Sequence, residues 1–84
     1  MEEKIGKVTH FYSKIGVAAI EVESGKLHKG DQIHIVGRTT DAEMLVDSIE
    51  LDHRQIDEAL PGQNVGVKVD THVREHDQVY KAYI

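Results

Sequence analysis

The chain has 84 residues, with 15 acidic and 10 basic side chains, six histidines, no cysteine and a formal net charge of −5. This length suits one domain, residues 1–84, that buries roughly 60–65% of its unfolded surface and leaves no room for a second core. The absence of cysteine excludes disulfide stapling, and the charge argues against nucleic-acid binding by bulk electrostatics. No apolar run approaches the roughly 20 residues that span a bilayer.

No apolar segment follows the opening Met1-Glu2-Glu3-Lys4, so the expectation is a cytoplasmic protein without a secretory signal. The charge is unevenly spread. Residues 1–30 hold five lysines and four acids, whereas residues 41–60 hold seven acids against Arg54 alone. A solvated acidic surface is the plain reading of that second stretch.

Residues 4–12 alternate loosely, with Ile5, Val8 and Phe11 apolar. Gly6 within that pattern points to a bulge or a close backbone approach. Ser13-Lys14 forms a turn. Ala18, Ile20 and Val22 then share one parity and Ile15 and Val17 the other, as in a strand where a small barrel curls over itself. Residues 25–37 read Gly-Lys-Leu-His-Lys-Gly-Asp-Gln-Ile-His-Ile-Val-Gly: a turn, a second tight turn at Lys29-Gly30-Asp31, then a strand with Ile33 and Ile35 on one face.

Residues 43–52 are β-rich, with a parity switch near Asp47-Ser48 that suggests a second bulge. Residues 54–60, stopped by Pro61, are too short for a persistent helix and read as a turn or an irregular extended connector with Ile56, Ala59 and Leu60 inward. Pro61-Gly62 is a strong turn signal. Val65, Val67 and Val69 alternate inward, residues 71–77 are polar, and residues 78–84 close the chain as a strand. About six short strands and no helix of consequence predict an all-β fold: a small, six-stranded, antiparallel, Greek-key-like barrel, closed because closure removes sheet edges. No internal repeat stands out.

The string at residues 25–37 resembles domain 2 of translational GTPases, elongation factor Tu above all. Two further blocks extend the likeness in the same order: Val46-Asp-Ser-Ile-Glu-Leu51 with Ala59-Leu-Pro-Gly-Gln-Asn-Val-Gly66, and Arg74-Glu-His-Asp-Gln-Val79. The resemblance implies a translation-factor-type barrel that contacts tRNA, other RNA or translation-related proteins. Its implied binding residues are Glu50, beside a terminal adenosine, and Asn64, near an aminoacyl ester, with Asp52, His53, Arg54 and Gly62 around them. The family's His-Arg pair is replaced by Asp52-His53, which sets a carboxylate where a base would meet phosphate. No Gly-x-x-x-x-Gly-Lys-[Ser/Thr] motif is present, so neither nucleotide nor GTP hydrolysis is expected. Similar barrels also form the C-terminal domain of collagenase-like peptidases. The alternative is therefore an accessory barrel serving a partner enzyme in trans, favoured by the acidic balance and the loss of the basic pair.

Candidate chemistry is sparse. His72-Val-Arg-Glu-His76 matches a zinc-peptidase string, but that chemistry needs both histidines on one helical face, and here the string lies in a connector. Two exposed loop histidines are the plain alternative. His34, between Ile33 and Ile35, should face outward. Glu50 and Asp52 should share a strand face about 7 Å apart, open to solvent and so without the desolvation that tunes an acid–base pair. No nucleophile motif is present. The expectation is a non-enzyme with no cofactor and no membrane partner. Phe11, Tyr12, Tyr80 and Tyr83 would gather if the first and last strands are neighbours, as a base-stacking platform near Lys14 and Lys81 or as a packing seam.

Overall fold

Buried and exposed residues alternate along the strands of the computed structural model, which describes residues 1–82. Ten strands form among them: β1 (Glu2–Tyr12), β2 (Val17–Val22), β3 (Leu27–His28), β4 (Gln32–Val36), β5 (Asp41–Leu45), β6 (Ile49–Leu51), β7 (Arg54–Ile56), β8 (Glu58–Ala59), β9 (Asn64–Lys68) and β10 (Gln78–Ala82). The main sheet is antiparallel in the order β5-β4-β10-β1-β2-β9-β6-β7, and β3 pairs with β8 as a separate two-stranded ladder. Strands from opposite ends of that order contribute to one core: Ile33, Ile35 and Met44 from β4–β5 join Ile49, Val65 and Val67 from β6 and β9. A sheet rolled on itself brings them together, so the fold is the expected all-β barrel, although among the described residues the ladder ends at β5 and β7 and does not close on itself as expected. The core is aliphatic, with Ile5, Ile20, Leu27, Ile33, Ile35 and Ile49 as its largest fully buried side chains.

Five strands lie where alternation predicted them; the strand count and several details differ. The expected strand over residues 43–52 is two strands. Residues 46–48 carry the chain from β5, beside β4, to β6, beside β9, so the parity switch marks a crossing to the other side of the barrel and not a bulge. The connector at residues 54–60 is ordered as β7 and β8, with Ala59 buried and Leu60 exposed, contrary to its inward assignment. Ile15 sits exposed in the β1–β2 turn and does not pack. Val73, within the polar connector before β10, is fully buried. At Gly6 both expectations hold: the register against β10 shifts between Lys4 and Gly6, and a Cβ there would collide with the Glu21 carbonyl of β2.

Three turns share one design. In His28-Lys29-Gly30-Asp31 the Asp31 N–H donates to the His28 carbonyl, while the Asp31 carboxylate accepts the His28 N–H at 2.7 Å. Arg74-Glu75-His76-Asp77 repeats both bonds, at 3.2 and 2.9 Å. In Leu60-Pro61-Gly62-Gln63 the Gln63 amide oxygen takes the carboxylate's place, accepting the Leu60 N–H at 2.9 Å. The third residue has positive φ in each: Gly30 at 94°, His76 at 75° and Gly62 at 92°. That geometry suits glycine and strains histidine. Each turn ends at the threshold of a barrel strand, β4, β10 or β9. The likeness of Gly30-Asp-Gln-Ile33 to His76-Asp-Gln-Val79 is thus a local repeat that the sequence reading missed. Asp77 is itself buried, in space that a Cβ on Gly37 would fill.

The strained position gives a test. Replacing His76→Gly should raise unfolding stability in urea by up to about 1 kcal/mol. Asp77→Ala, which orphans the Arg74 N–H, should lower it by about 1–3 kcal/mol. A His76→Gly variant less stable than wild type would contradict this account of the turn.

Candidate functional site

A groove of about 560 Å³ opens where β1, β2, β6 and β9 adjoin. Its floor follows from one missing side chain. Gly66 on β9 lies between Ala19 of β2 and Glu50 of β6, and a Cβ there would press on Val17 at 3.2 Å. Val17 and Ala19 make the floor apolar, and Tyr12 and Ile15 stand over one end, 49% and 63% exposed. Tyr12 meets the His10 ring edge-on at a centroid distance of 4.4 Å, and His10 Nδ1 lies 3.2 Å from the Glu75 carboxylate.

Four of the six residues implied by resemblance line this groove: Glu50, Asp52, His53 and Asn64. Glu50 accepts a hydrogen bond from the Gln55 amide at 3.3 Å, and the Thr9 hydroxyl reaches Asn64 Oδ1 at 3.5 Å. The other two lie elsewhere. Arg54 pairs with Leu51 across the β6–β7 hairpin, on the face away from Glu50, and Gly62 forms its turn, with its N–H donated to the Val22 carbonyl.

The hairpin corrects another expectation. Asp52 and His53 are its two turn residues, both with positive φ (52° and 65°), the hallmark of a type I′ turn. Asp52 therefore leaves the strand and does not share a strand face with Glu50. Asp and His tolerate this conformation better than most non-glycine residues.

Other candidates separate. His72 and His76 lie on an exposed connector with no helix to align them; His72 packs edge-on against Phe11 at 4.8 Å. Among the described residues the aromatics do not gather. β1 and β10 do pair, but through residues 2–7, at the opposite end of β1 from Phe11 and Tyr12. Phe11 packs against the core, Tyr12 overlooks the groove, and Tyr83 lies outside the described residues. Lys81 is engaged with Asp31 at 3.1 Å and with the Lys26 carbonyl. A flatter hollow at Lys29, Gly30 and Asp57 gathers none of the predicted residues.

With this geometry the relationships of the chain become readable. The sequence profile described as Elongation factor Tu domain 2 matches residues 16–78. The chain belongs to that family. Its relatives among known proteins are not translation factors in the cases that follow. An uncharacterized protease of Methanocaldococcus jannaschii is 44% identical over 92% of this chain, and a collagenase of Porphyromonas gingivalis is 37% identical over 92%. The chain spans 19% and 22% of those two proteins, about a fifth of their length. The crystal structure of the C-terminal domain of a Geobacillus thermoleovorans U32 peptidase superposes with a TM-score of 0.89, covering 96% of this chain and 93% of that one at 20% identity. That last likeness shows the fold. Among the described residues no helix is long and apolar enough to cross a membrane.

His34 faces outward as expected, yet it is not simply solvated. Its Nδ1 lies 2.9 Å from Glu2 and its Nε2 2.5 Å from Asp41. The Asp41 hydrogen bond raises its pKa above the ordinary histidine value; partial burial opposes this, and Glu2 adds a hydrogen bond and charge attraction. The folded chain therefore holds the proton more tightly than the unfolded chain. The stabilisation is complete below the unfolded value of 6.5 and is lost as pH rises through the higher folded value. In chelator-treated buffer, wild type should melt above His34→Asn by about 2–4 °C at pH 6, the size expected of an exposed ion pair. The gap should close by pH 8.5; a gap constant with pH would overturn this account of His34.

Proposed function

We propose that this barrel is a non-catalytic docking module associated with a collagenase-like peptidase, and that the β1–β2–β9–β6 groove receives a segment of polypeptide. The observation that carries the reading is the pair of relatives, a protease and a collagenase, each matched over 92% of this chain while the chain spans about a fifth of them. A module of that proportion is suited to recognition beside a catalytic portion supplied elsewhere, in the same polypeptide or in trans.

The chemistry of the groove agrees. Its apolar floor at Val17 and Ala19 suits an aliphatic or proline side chain, and Tyr12 offers a flat amphipathic surface. Glu50 and Asp52 make the rim acidic, suited to a lysine or arginine on the incoming segment. The acidic stretch at residues 41–60 extends that sign beyond the groove.

The RNA-binding alternative is weaker. Glu50 and Asn64 do line one groove, as resemblance to translation factors implied, but among the described residues no lysine or arginine lines it with them, and Lys68, in the adjoining hollow that shares Glu50 and Gly66, is a single cation beside that carboxylate. Phosphate recognition depends on such cations, and the Asp52 carboxylate opposes it.

Calorimetric titration of the barrel against the catalytic portion of a collagenase-like peptidase tests the reading. Saturable binding is expected, weakened about tenfold or more by Gly66→Leu, which fills the groove, and by Glu50→Lys, which reverses its rim. Charged or deacylated tRNA at low salt should give no heat. Binding indifferent to both substitutions, or binding of tRNA in place of the enzyme, would overturn the proposal.

A further inference from the structure

A second cluster lies on a different face, with no residue in common with the groove. His34 is the middle residue of β4, and its neighbours Ile33 and Ile35 are fully buried, so its ring projects from the outer surface. Glu43 is its direct cross-strand partner on β5. Glu2 reaches the same spot from the start of β1, across the intervening β10. One ligand atom from each of Glu2, His34 and Glu43 lies within 4.8 Å of the others.

We propose that His34, Glu2 and Glu43 form a binding site for a divalent transition-metal ion, zinc above all. Three features carry the assignment. The first is the donor set: one imidazole nitrogen and two carboxylates combine ligands that zinc accepts with bonds of about 2.0–2.2 Å. Tetrahedral donors at that radius sit about 3.4 Å apart. Glu2, already 2.9 Å from Nδ1, needs only to draw back slightly, and Glu43 to close in by no more than about 1.4 Å, around a fixed ring. The imidazole nitrogen selects against magnesium and calcium, which favour all-oxygen shells.

The second is the orientation of the ring. Asp41 lies two residues before Glu43 on β5 and faces His34 Nε2 at 2.5 Å, while Nδ1 faces Glu2 at 2.9 Å. A carboxylate on one ring nitrogen fixes the tautomer and turns the other nitrogen's lone pair toward the metal, as around histidine-ligated zinc generally. Asp41 is thus a positioning residue for Nδ1.

The third is charge. The Glu43 carboxylate has no hydrogen-bond or ion-pair partner among the described residues, and Glu2 and Asp41 share His34 between them. A singly charged imidazolium cannot balance three carboxylates. A divalent ion on neutral His34 matches Glu2 and Glu43, with solvent completing the shell. Bound there, it would tie the start of β1 to the edge strand β5 across β10. Among the described residues His72 and His76 form no such group: they sit on a loop, and the cluster at His34 contains neither.

The test uses the untagged chain stripped of metal by chelator and titrated with zinc chloride alone at pH 7.5. One zinc ion per chain is expected, with a rise in melting temperature. Cobalt(II) should give visible d–d bands of a low-symmetry nitrogen–oxygen site. Glu43→Gln, an exposed change that leaves the core untouched, and His34→Asn should each weaken zinc binding about tenfold or more and abolish the thermal shift. Asp41→Asn should weaken binding about tenfold while leaving one ion per chain. A His72→Ala/His76→Ala double variant should bind as wild type does. No saturable binding up to millimolar zinc, or binding indifferent to Glu43→Gln and His34→Asn, would overturn the proposal. So would loss of binding only in the His72/His76 variant.

Discussion

The barrel depends on a reciprocal hydrogen bond at the entrance to three of its strands. In each of the turns closed by Asp31, Gln63 and Asp77, one residue's N–H grips the carbonyl three positions back while its side chain accepts that same residue's N–H. Two backbone groups that would otherwise need water are satisfied locally, and the chain leaves the turn in a fixed direction. A sheet of short strands has register problems wherever side chains fail to distinguish faces, and a rigid launch removes one source of slippage. Asp31 also accepts Lys81 from β10 and so links the turn before β4 to the neighbouring strand. The device recurs because the problem recurs.

The groove is a consequence of the same economy. An aliphatic core with no fully buried aromatic among the described residues leaves little bulk to spare, and the outer faces carry the remaining recognition chemistry. Gly66 removes a side chain between β2 and β6, Val17 and Ala19 become accessible, and the tight Asp52-His53 turn sets a carboxylate and an imidazole at the rim. The acidic rim is the feature on which the proposed docking of a polypeptide segment rests. The barrel family is shared with translation factors, but a shared barrel does not carry a shared ligand, because the ligand is chosen by the side chains mounted on it.

The His34 face illustrates how a sheet assembles what sequence distance conceals. Glu2 and His34 are 32 residues apart, yet antiparallel pairing on both sides of β10 sets them 2.9 Å apart. Two carboxylates on one ring give it either a proton held more tightly than usual or a metal in the proton's place.

Much of the fold was legible in the residues. Period-two alternation marked β1, β2, β4, β9 and β10, the glycines at 25, 30 and 62 marked turns with positive φ, and the ordered blocks around residues 25–37, 46–66 and 74–79 marked the family. These features are local, and local sterics fix them. The sequence could also bring Glu50 and Asn64 to notice through resemblance. It could not reveal that Asp52 and His53 form a hairpin turn, that residues 46–48 cross the barrel, or that Tyr12 and Phe11 part company. Nor could it join Glu2 to His34 and Glu43. Those outcomes depend on which strands become neighbours. Neighbourhood in a rolled sheet is decided by long-range pairing and a shared core, not by any single stretch of chain.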